Sequence, residues 1–329
     1  MRRRWLAPLT PLYAAGLALR NWRIENGTEP VRRLRYPVVS IGNLSTGGAG
    51  KTPLTIALAQ ALTEHGLHVD VLSRGYGRQS KLAARVLCDG TAEDFGDEPL
   101  LIAREASVPV YVAPQRYNAG LLAEADAQPI SDQNHQSIVH LLDDGFQHRQ
   151  LYRAVDILIL NRLDWQDALL PAGNLREPIR AIHRASVIAI PANEPKLEAE
   201  LRTWGWQGPI WRLRRSMEIP VASGPMAAFC GIARPEQFFA SLEAAGLQLV
   251  LRRAFPDHHC YTARELDRLI SAARAAEATS LITTEKDRIR LGKLASTFPA
   301  ALPLRTARLR IEIEDQAAAI DWLVGRLVP

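Results

Sequence analysis

The sequence has little cysteine. Its three cysteines, Cys88, Cys230 and Cys260, lie far apart and without paired spacing in a chain of 329 residues. This excludes a disulfide framework and a cysteine-based metal site, and it fits a reducing cytoplasm. Low-complexity tracts and internal repeats are also lacking. The composition, 47% hydrophobic and 23% charged, is that of a globular protein, and the length favours two domains.

Long apolar runs are lacking as well. The apolar stretch Trp5–Leu19 contains Pro8 and Pro11 and is shorter than the about 20 residues that a transmembrane helix needs. Arg2–Arg4 precede it and Arg20 follows it. An export signal is disfavoured because no small-residue cleavage site follows and positive charge comes after the run. A buried N-terminal helix and an interfacial membrane anchor remain, and we favour the anchor.

Residues 41–55 carry the most informative pattern, a glycine-rich turn between the strand-like run Pro37–Ile41 and the helix-like run Leu54–Leu62. Glycines let the backbone curl so that N–H groups point at phosphate oxygens. Lys51 can then reach the β- and γ-phosphates, and the Thr52 hydroxyl can ligate Mg²⁺. The alternative is a glycine-rich turn without a ligand. The predicted nucleotide-binding residues are Ser45, Thr46, Gly47, Gly48, Ala49, Gly50, Lys51 and Thr52.

Apolar runs alternate with helical patterns along the rest of the chain. This alternation predicts an α/β fold, doubly wound, with a mostly parallel phosphate-loop sheet and a second, smaller α/β domain. The pattern breaks near Ser216–Gly224. We therefore predict a membrane-associating segment over residues 1–30, a nucleotide-binding domain over 31–215 and a smaller domain over 216–329 that completes the cleft.

The apolar strand Ile138–Asp143 ends in two carboxylates, Asp143 and Asp144. An acid that orients Mg²⁺ belongs at the carboxyl end of a strand beside the phosphate loop. Two adjacent aspartates on an extended strand cannot point the same way, so one of them, undetermined, is expected to face the metal. The alternative is an ordinary Asp-Asp-Gly turn.

Five further segments place polar residues next to predicted strands or at a helix start, although each alone could be ordinary turn chemistry or solvated charge. They are Ser73–Arg78, Gly96–Pro99, Pro171–Pro178, Phe255–His259 and Thr283–Asp287.

Together these segments resemble the tetraacyldisaccharide 4'-kinase family of lipid A synthesis. The resemblance runs in order through nearly the whole chain, and the family also has a hydroxyl residue at the position of Ser45. It implies transfer of the ATP γ-phosphoryl group to the 4'-hydroxyl of a tetraacylated glucosamine disaccharide 1-phosphate. The implied location is the cytoplasmic face of the bacterial inner membrane, with peripheral or monotopic attachment.

The resemblance also implies roles for matched residues. Asp97 would accept the sugar hydroxyl proton, His258 would orient Asp97, and Arg176 would steady the transferring phosphoryl group. The remaining implied residues are Thr52, Asp143, Asp144 and Gln147 at the metal, and Arg74, Tyr76, Glu98 and Glu177 at the substrate or behind the metal ligands. ATP and Mg²⁺ are the expected cofactors. A lipid substrate and the membrane surface are the expected partners, with no nucleic acid and no protein partner implied.

A different class of protein stays open at this point, a membrane-associated nucleotide switch that hydrolyses ATP or GTP to control a protein partner. Such a switch needs the phosphate loop and the acidic strand end, but it does not need Asp97 together with His258. Thr284–Asp287 matches the Asn/Thr-Lys-x-Asp pattern of GTP recognition poorly, because Glu285 precedes Lys286.

Overall fold

The computed structural model describes residues 4–134, 137–221 and 224–327. Within these ranges the chain forms twelve strands and eleven α-helices. The strands are β1 Val38–Asn43, β2 His68–Ser73, β3 Ala84–Arg85, β4 Val110–Val112, β5 Ile138–Asp143, β6 Val155–Ile159, β7 Val187–Pro191, β8 Ile210–Glu218, β9 Met226–Cys230, β10 Leu249–Ala254, β11 Ser280–Thr284 and β12 Leu304–Ile313.

The α-helices are α1 Thr10–Glu25, α2 Lys51–Glu64, α3 Ala92–Phe95, α4 Asp97–Ala106, α5 Arg116–Asn134, α6 Arg162–Trp165, α7 Pro195–Thr203, α8 Pro235–Ala244, α9 Ala263–Ala275, α10 Glu285–Leu291 and α11 Gln316–Leu327. Short 3₁₀ helices cover Arg4–Leu9, Ile179–Arg184 and Gly292–Thr297. The sequence pattern predicts strands at Ile138–Asp143, Met226–Cys230 and Ser280–Thr284 and a helix at Ala263–Ala275, and β5, β9, β11 and α9 have these bounds.

The strands pair into one sheet in the order β10-β9-β11-β12-β8-β7-β6-β1-β5-β2-β4-β3. The pairing is parallel except for β3 with β4 and β12 with β8. This confirms the predicted mostly parallel α/β fold. Because β1 lies between β5 and β6 and runs parallel to both, the carboxyl ends of these three strands meet at one edge of the sheet.

The two predicted domains share this sheet. Strand β8 continues to Glu218, past the predicted boundary after residue 215, and pairs antiparallel with β12 from Leu213–Ile313 to Glu218–Arg308. The later strands therefore extend the sheet of the earlier ones. The division into two domains stays a prediction.

The core explains why β1 and α2 hold a fixed geometry. All six residues of β1 are buried, as expected for a central parallel strand that helices cover on both faces. Leu54, Leu58 and Leu62 of α2 have no exposed area, and their spacing of four residues places them on one face of the helix. They belong to the same buried cluster as Ile311 of β12.

Some local predictions differ from the structure. The sequence pattern predicts a strand at Arg85–Cys88, but β3 has only two residues, because it pairs only with β4 at the end of the sheet. The sequence pattern predicts a strand at Arg308–Ile313, but β12 begins four residues earlier, at Leu304, and its residues Leu304 to Thr306 are half-buried. Residues from Glu285 onward form α10 rather than a loop, and the Thr284 side chain caps this helix by accepting a hydrogen bond from the Asp287 N–H.

The N-terminal segment is helical but largely exposed. Ile24 is the one residue of α1 that is buried, and the described residues include no helix that is long and apolar enough to cross a membrane. Trp5 and Leu12 are 80% and 72% exposed. The packing therefore disfavours the buried-helix interpretation. Arg2 and Arg3, which belong to the predicted basic flank, lie outside the described residues.

Candidate active site

The glycine-rich loop joins β1 to α2. Gly47, Gly48 and Gly50 have φ angles of 80°, 60° and 91°, in the left-handed region that glycine adopts without strain. Gly50 is the N-cap of α2, whose first backbone N–H groups have no partner within the helix. Such N–H groups and the positive end of the helix dipole favour a bound anion.

The C-terminal part of the chain packs directly against this loop. A Cβ atom placed on Gly47 would lie 2.9 Å from the Ala233 Cβ, and one on Gly50 would lie 2.8 Å from the Ile311 Cδ1. Glycine is therefore required here for space as well as for φ. The loop is held between the start of α2 and residues that follow β9 or belong to β12.

Two cations converge on one carboxylate beside the loop. Arg176 forms two parallel hydrogen bonds with Asp144, of 2.8 and 3.0 Å, and the Lys51 Nζ lies 3.6 Å from the same carboxylate. Both cations also donate to the Asn43 Oδ1, at 3.1 Å from Lys51 and 2.6 Å from Arg176. Burial alone would raise the pKa of Asp144, but Lys51 and Arg176 hold it well below its usual range.

The two aspartates at the end of β5 contact different partners, as their alternation predicts. Asp143 is buried and accepts a hydrogen bond of 3.2 Å from the Thr55 hydroxyl of α2. Burial, together with the nearby carboxylates of Glu98 and Asp144, raises the pKa of Asp143 to about 7. Asp144 has a φ of 49°, so the chain turns at this residue and directs its carboxylate towards Arg176.

Asp97 and His258 meet across the cleft, as the resemblance implies. Asp97 begins α4 and is buried, and the His258 Nδ1 lies 3.3 Å from its Oδ2. Burial would raise the pKa of Asp97, but its hydrogen bond with His258 and the charges of Arg290 and Lys286 hold it well below its usual range. The same hydrogen bond raises the pKa of His258. The Tyr76 ring lies 5.2 Å from the His258 ring.

The other predicted residues have diverse surroundings. The Glu98 carboxylate contacts the Lys286 ammonium, and the Gln147 side chain donates to the Asn43 carbonyl at 2.9 Å. Arg74 is exposed in the turn after β2. Glu177 is buried, and Arg184 holds it through hydrogen bonds of 2.6 and 3.1 Å.

Four residues at the site were given no role from the sequence: Asn43, Arg116, Lys286 and Arg290. Arg116 begins α5, and the Arg116 pKa is lowered to about 10, first by burial. Lys286 and Arg290 lie four residues apart on α10 and therefore share one helix face. The capping pattern Thr284-x-x-Asp287 was the signal that could have revealed this helix.

Comparisons with known proteins show which family this chain belongs to. The family model described as tetraacyldisaccharide-1-P 4'-kinase matches residues 2–327. The tetraacyldisaccharide 4'-kinase of Koribacter versatilis is 39% identical over 328 residues, which cover 96% of this chain and 97% of that protein. The one from Halorhodospira halophila is 35% identical over 330 residues, which cover 98% of this chain and 94% of that protein. The chain belongs to the tetraacyldisaccharide 4'-kinase family.

A solved structure supports the same membership of the 4'-kinase family. The crystal structure of LpxK from Aquifex aeolicus in complex with ATP has a TM-score of 0.75 and 30% sequence identity, and the match covers 98% of both chains. The similarity therefore extends over the whole sheet, including the strands that follow residue 215. It confirms the predicted fold and the predicted membership of the 4'-kinase family. The comparisons give no support to the alternative, a nucleotide switch.

The side chains at this site have the chemistry needed to bind the magnesium ion that kinases of this type require. The Gln147 Oε1 is buried and has no hydrogen-bond partner, and it lies on the segment that follows the paired aspartates. Among the described residues, no group of three or more His, Cys, Asp or Glu side chains could hold a metal ion alone. Mg²⁺ commonly takes one or two carboxylates and completes its shell with substrate phosphates and water. Asp143, Asp144, Thr52 and Gln147 can therefore supply the protein's share.

Proposed function

We propose that this protein transfers the γ-phosphoryl group of ATP to the 4'-hydroxyl of a tetraacylated glucosamine disaccharide 1-phosphate. Family membership over residues 2–327 supports both the reaction and the substrate class. The observation that carries the proposal is the contact between Asp97 and His258 at 3.3 Å. A kinase needs a proton acceptor for a hydroxyl substrate, whereas a nucleotide switch does not.

The phosphate loop and its cations bind and orient the donor. Phosphoryl transfer passes through a loose transition state, so positioning and charge stabilisation contribute more than covalent chemistry. Backbone N–H groups at the start of α2 and the Lys51 ammonium hold the β- and γ-phosphates. Arg176, fixed by Asp144 and Asn43, lies where it can stabilise charge on the transferring group. Mg²⁺ supplies charge neutralisation when Asp143, Asp144, Thr52 and Gln147 hold it.

Asp97 takes the proton of the 4'-hydroxyl as that oxygen attacks the γ-phosphorus. Its low pKa makes it a weak base, but the hydroxyl proton leaves late in a loose transition state, so orientation matters more than basicity. His258 orients the carboxylate and comes from the C-terminal part of the chain. The base and the residue that orients it therefore come from distant segments of the chain, the start of α4 and the loop after β10.

The N-terminal segment supports a lipid substrate and attachment to the cytoplasmic face of the inner membrane. Trp5, Leu12 and Leu19 are exposed. The Tyr13 hydroxyl of α1 donates to the Arg176 carbonyl at 2.9 Å, so this apolar surface lies beside the site. An acceptor whose acyl chains stay in the bilayer can then present its sugar without the large free energy of extracting those chains.

The test is phosphorylation of the disaccharide 1-phosphate by Asp97→Asn and His258→Gln variants, with His65→Gln, an exposed histidine, as the control. We expect each of the first two to lower kcat by about 10²–10⁴-fold, typical of a lost general base. The KM for ATP should stay unchanged because neither residue contacts the phosphate loop. Full activity of Asp97→Asn would contradict the assignment of the base.

A further inference from the structure

Arg290 is the residue that holds Asp97 most closely. Its Nε donates to the Asp97 Oδ2 at 2.6 Å, and its Nη2 contacts the same oxygen. The Arg290 side chain is only 5% exposed. The Asp97 Oδ1 instead accepts the backbone N–H of Glu98 at 3.0 Å. The two carboxylate oxygens therefore have different surroundings, because the His258 Nδ1 also faces Oδ2.

A buried network fixes the other side of the guanidinium. The Arg290 Nη1 contacts the Gly231 carbonyl and lies 3.2 Å from the Asp287 Oδ1. Asp287 is fully buried and also accepts the Tyr261 hydroxyl at 2.8 Å and the Gly231 N–H at 3.0 Å. The Gly231 carbonyl in turn accepts the His258 N–H at 3.2 Å. Arg290 therefore connects the loop that carries His258 with the carboxylate that His258 contacts.

This arrangement has a consequence for proton transfer. A carboxylate oxygen has two lone pairs. Arg290 contacts Oδ2 through Nε and Nη2, and the His258 Nδ1 also faces this oxygen. Among the described residues, Oδ1 has one backbone donor, the Glu98 N–H, and it keeps a lone pair. We propose that Arg290 is a positioning residue for this kinase, which with His258 saturates the Asp97 Oδ2 and so presents Oδ1 to the acceptor hydroxyl. The inference rests on the proposed role of Asp97 as the base.

Lysine cannot replace arginine in this role. One edge of the planar guanidinium contacts Asp97, and the other contacts the Gly231 carbonyl and Asp287. A lysine ammonium is a single point charge and cannot make both sets of contacts. Arg290→Lys keeps the buried positive charge and removes this bridging geometry. Arg288→Lys is the matched control, because Arg288 lies on the same helix and is exposed.

The experiment measures kcat and the KM for ATP with the disaccharide acceptor for Arg290→Lys, Arg290→Met, Asp97→Asn and the double variant Asp97→Asn/Arg290→Lys. We expect Arg290→Lys to lower kcat by about 10²-fold, as for a misplaced reacting group, with an unchanged KM for ATP. Because Arg290 acts through Asp97, the double variant should be no slower than Asp97→Asn alone. Circular dichroism and nucleotide affinity check folding, and Arg290→Lys carries the test if Arg290→Met fails to fold.

Two outcomes overturn the inference. One is a wild-type kcat for Arg290→Lys while Asp97→Asn is slow, which would leave the proposed function intact. The other is a double variant that shows the product of the two single losses, since a merely structural arginine would act independently of Asp97. Full activity of Asp97→Asn, in contrast, would contradict the base assigned in the proposed function and the role of Arg290 with it.

Discussion

Lys51 and Arg176 both contact the carboxylate of Asp144. The effect of substituting one of them on stability therefore depends on the partner that Asp144 keeps. Arg176 satisfies Asp144 through two hydrogen bonds, whereas Lys51 lies 3.6 Å away. Removal of Lys51 therefore leaves Asp144 with its stronger partner. The function of Lys51 can for this reason be separated from stability, although its side chain is only 12% exposed.

We predict that Lys51→Ala lowers kcat by at least about 10²–10³-fold, the effect of removing one donor to a developing charge. The free energy of unfolding should fall by only about 1 kcal/mol or less, as for a weak ion pair. Kinase assays and urea unfolding measure the two effects. Lys196→Ala, at an exposed position of α7, is the control. Near-normal activity of Lys51→Ala would mean that the loop does not bind the phosphates.

The sequence is sufficient to predict a role for residues whose spacing along the chain defines the chemistry. Lys51 and Thr52 follow the glycines directly, so their predicted place at the phosphates depends only on local geometry. Asn43 could not be singled out in this way, because an asparagine at a strand end is common and its partners come from two other segments. The loop that presents Arg176 stands out in the sequence, but the role of Arg176 came from the family resemblance, since 32 residues separate it from Asp144.

At the scale of elements, β5 is held in place by a buried charged group. His140 has no exposed area, and its Nδ1 lies 2.7 Å from the Asp70 Oδ1 of β2. Its Nε2 lies 3.6 Å from the Glu124 carboxylate of α5. Burial alone would lower the pKa of His140, but Asp70 and Glu124 raise it to about 9. The two carboxylates therefore favour the protonated form of the histidine in the middle of the strand that ends in Asp143.

This protonation predicts a dependence of stability on pH. The folded pKa of His140, about 9, lies above the ordinary value of 6.5, so proton binding favours the folded state. The stabilisation is complete below about pH 6.5 and is lost as the pH rises through about 9, a loss of the order of 3 kcal/mol. Urea unfolding at a series of pH values from 6 to 10 measures it.

The matched comparison is His140→Phe combined with Asp70→Leu, which replaces both members of the pair by apolar side chains. We expect this double variant to lose that decline in stability between pH 6.5 and 9. His65→Ala, at an exposed histidine, should keep the wild-type profile. A double variant with the same decline as the wild type would show that His140 is not its source.

Helix α10 shows why some elements could not be predicted from the sequence. It has seven residues, too few to show a clear helical period, and five of its residues are charged. Its position after β11 depends on contacts with α4, including the contact of Lys286 with Glu98. Such contacts join residues that are 188 positions apart, so no local pattern contains them.

At the scale of the whole molecule, the alternation of strands and helices was sufficient to predict the fold class. It could not predict that β8 and β12 pair, because antiparallel pairing between distant strands leaves no local pattern. This pairing joins the strands that carry the phosphate loop to those that carry the His258 loop. It thus places one continuous sheet beneath both parts of the proposed site.

The N-terminal helix α1 carries an apolar surface. Leu12, Leu19 and Trp22 are 72%, 58% and 56% exposed and lie on one side of α1. Tyr13 and Arg20 lie on another side, where they contact the backbone of Arg176 and of Gln147. The contacts with the site and the proposed contacts with the bilayer can therefore be changed separately.

We predict that the triple variant Leu12→Ser/Leu19→Ser/Trp22→Ser moves towards the soluble fraction. Burial of each large apolar side chain contributes about 1.5–3 kcal/mol, so loss of three should weaken vesicle binding strongly. The kcat/KM should fall for the acceptor in vesicles and stay unchanged for a water-soluble acceptor with short acyl chains, because Tyr13 and Arg20 remain. Leu82→Ser/Leu87→Ser, at residues that are 78% and 57% exposed, is the control. If the triple variant bound vesicles as well as this control, the exposed side of α1 would not be the membrane contact.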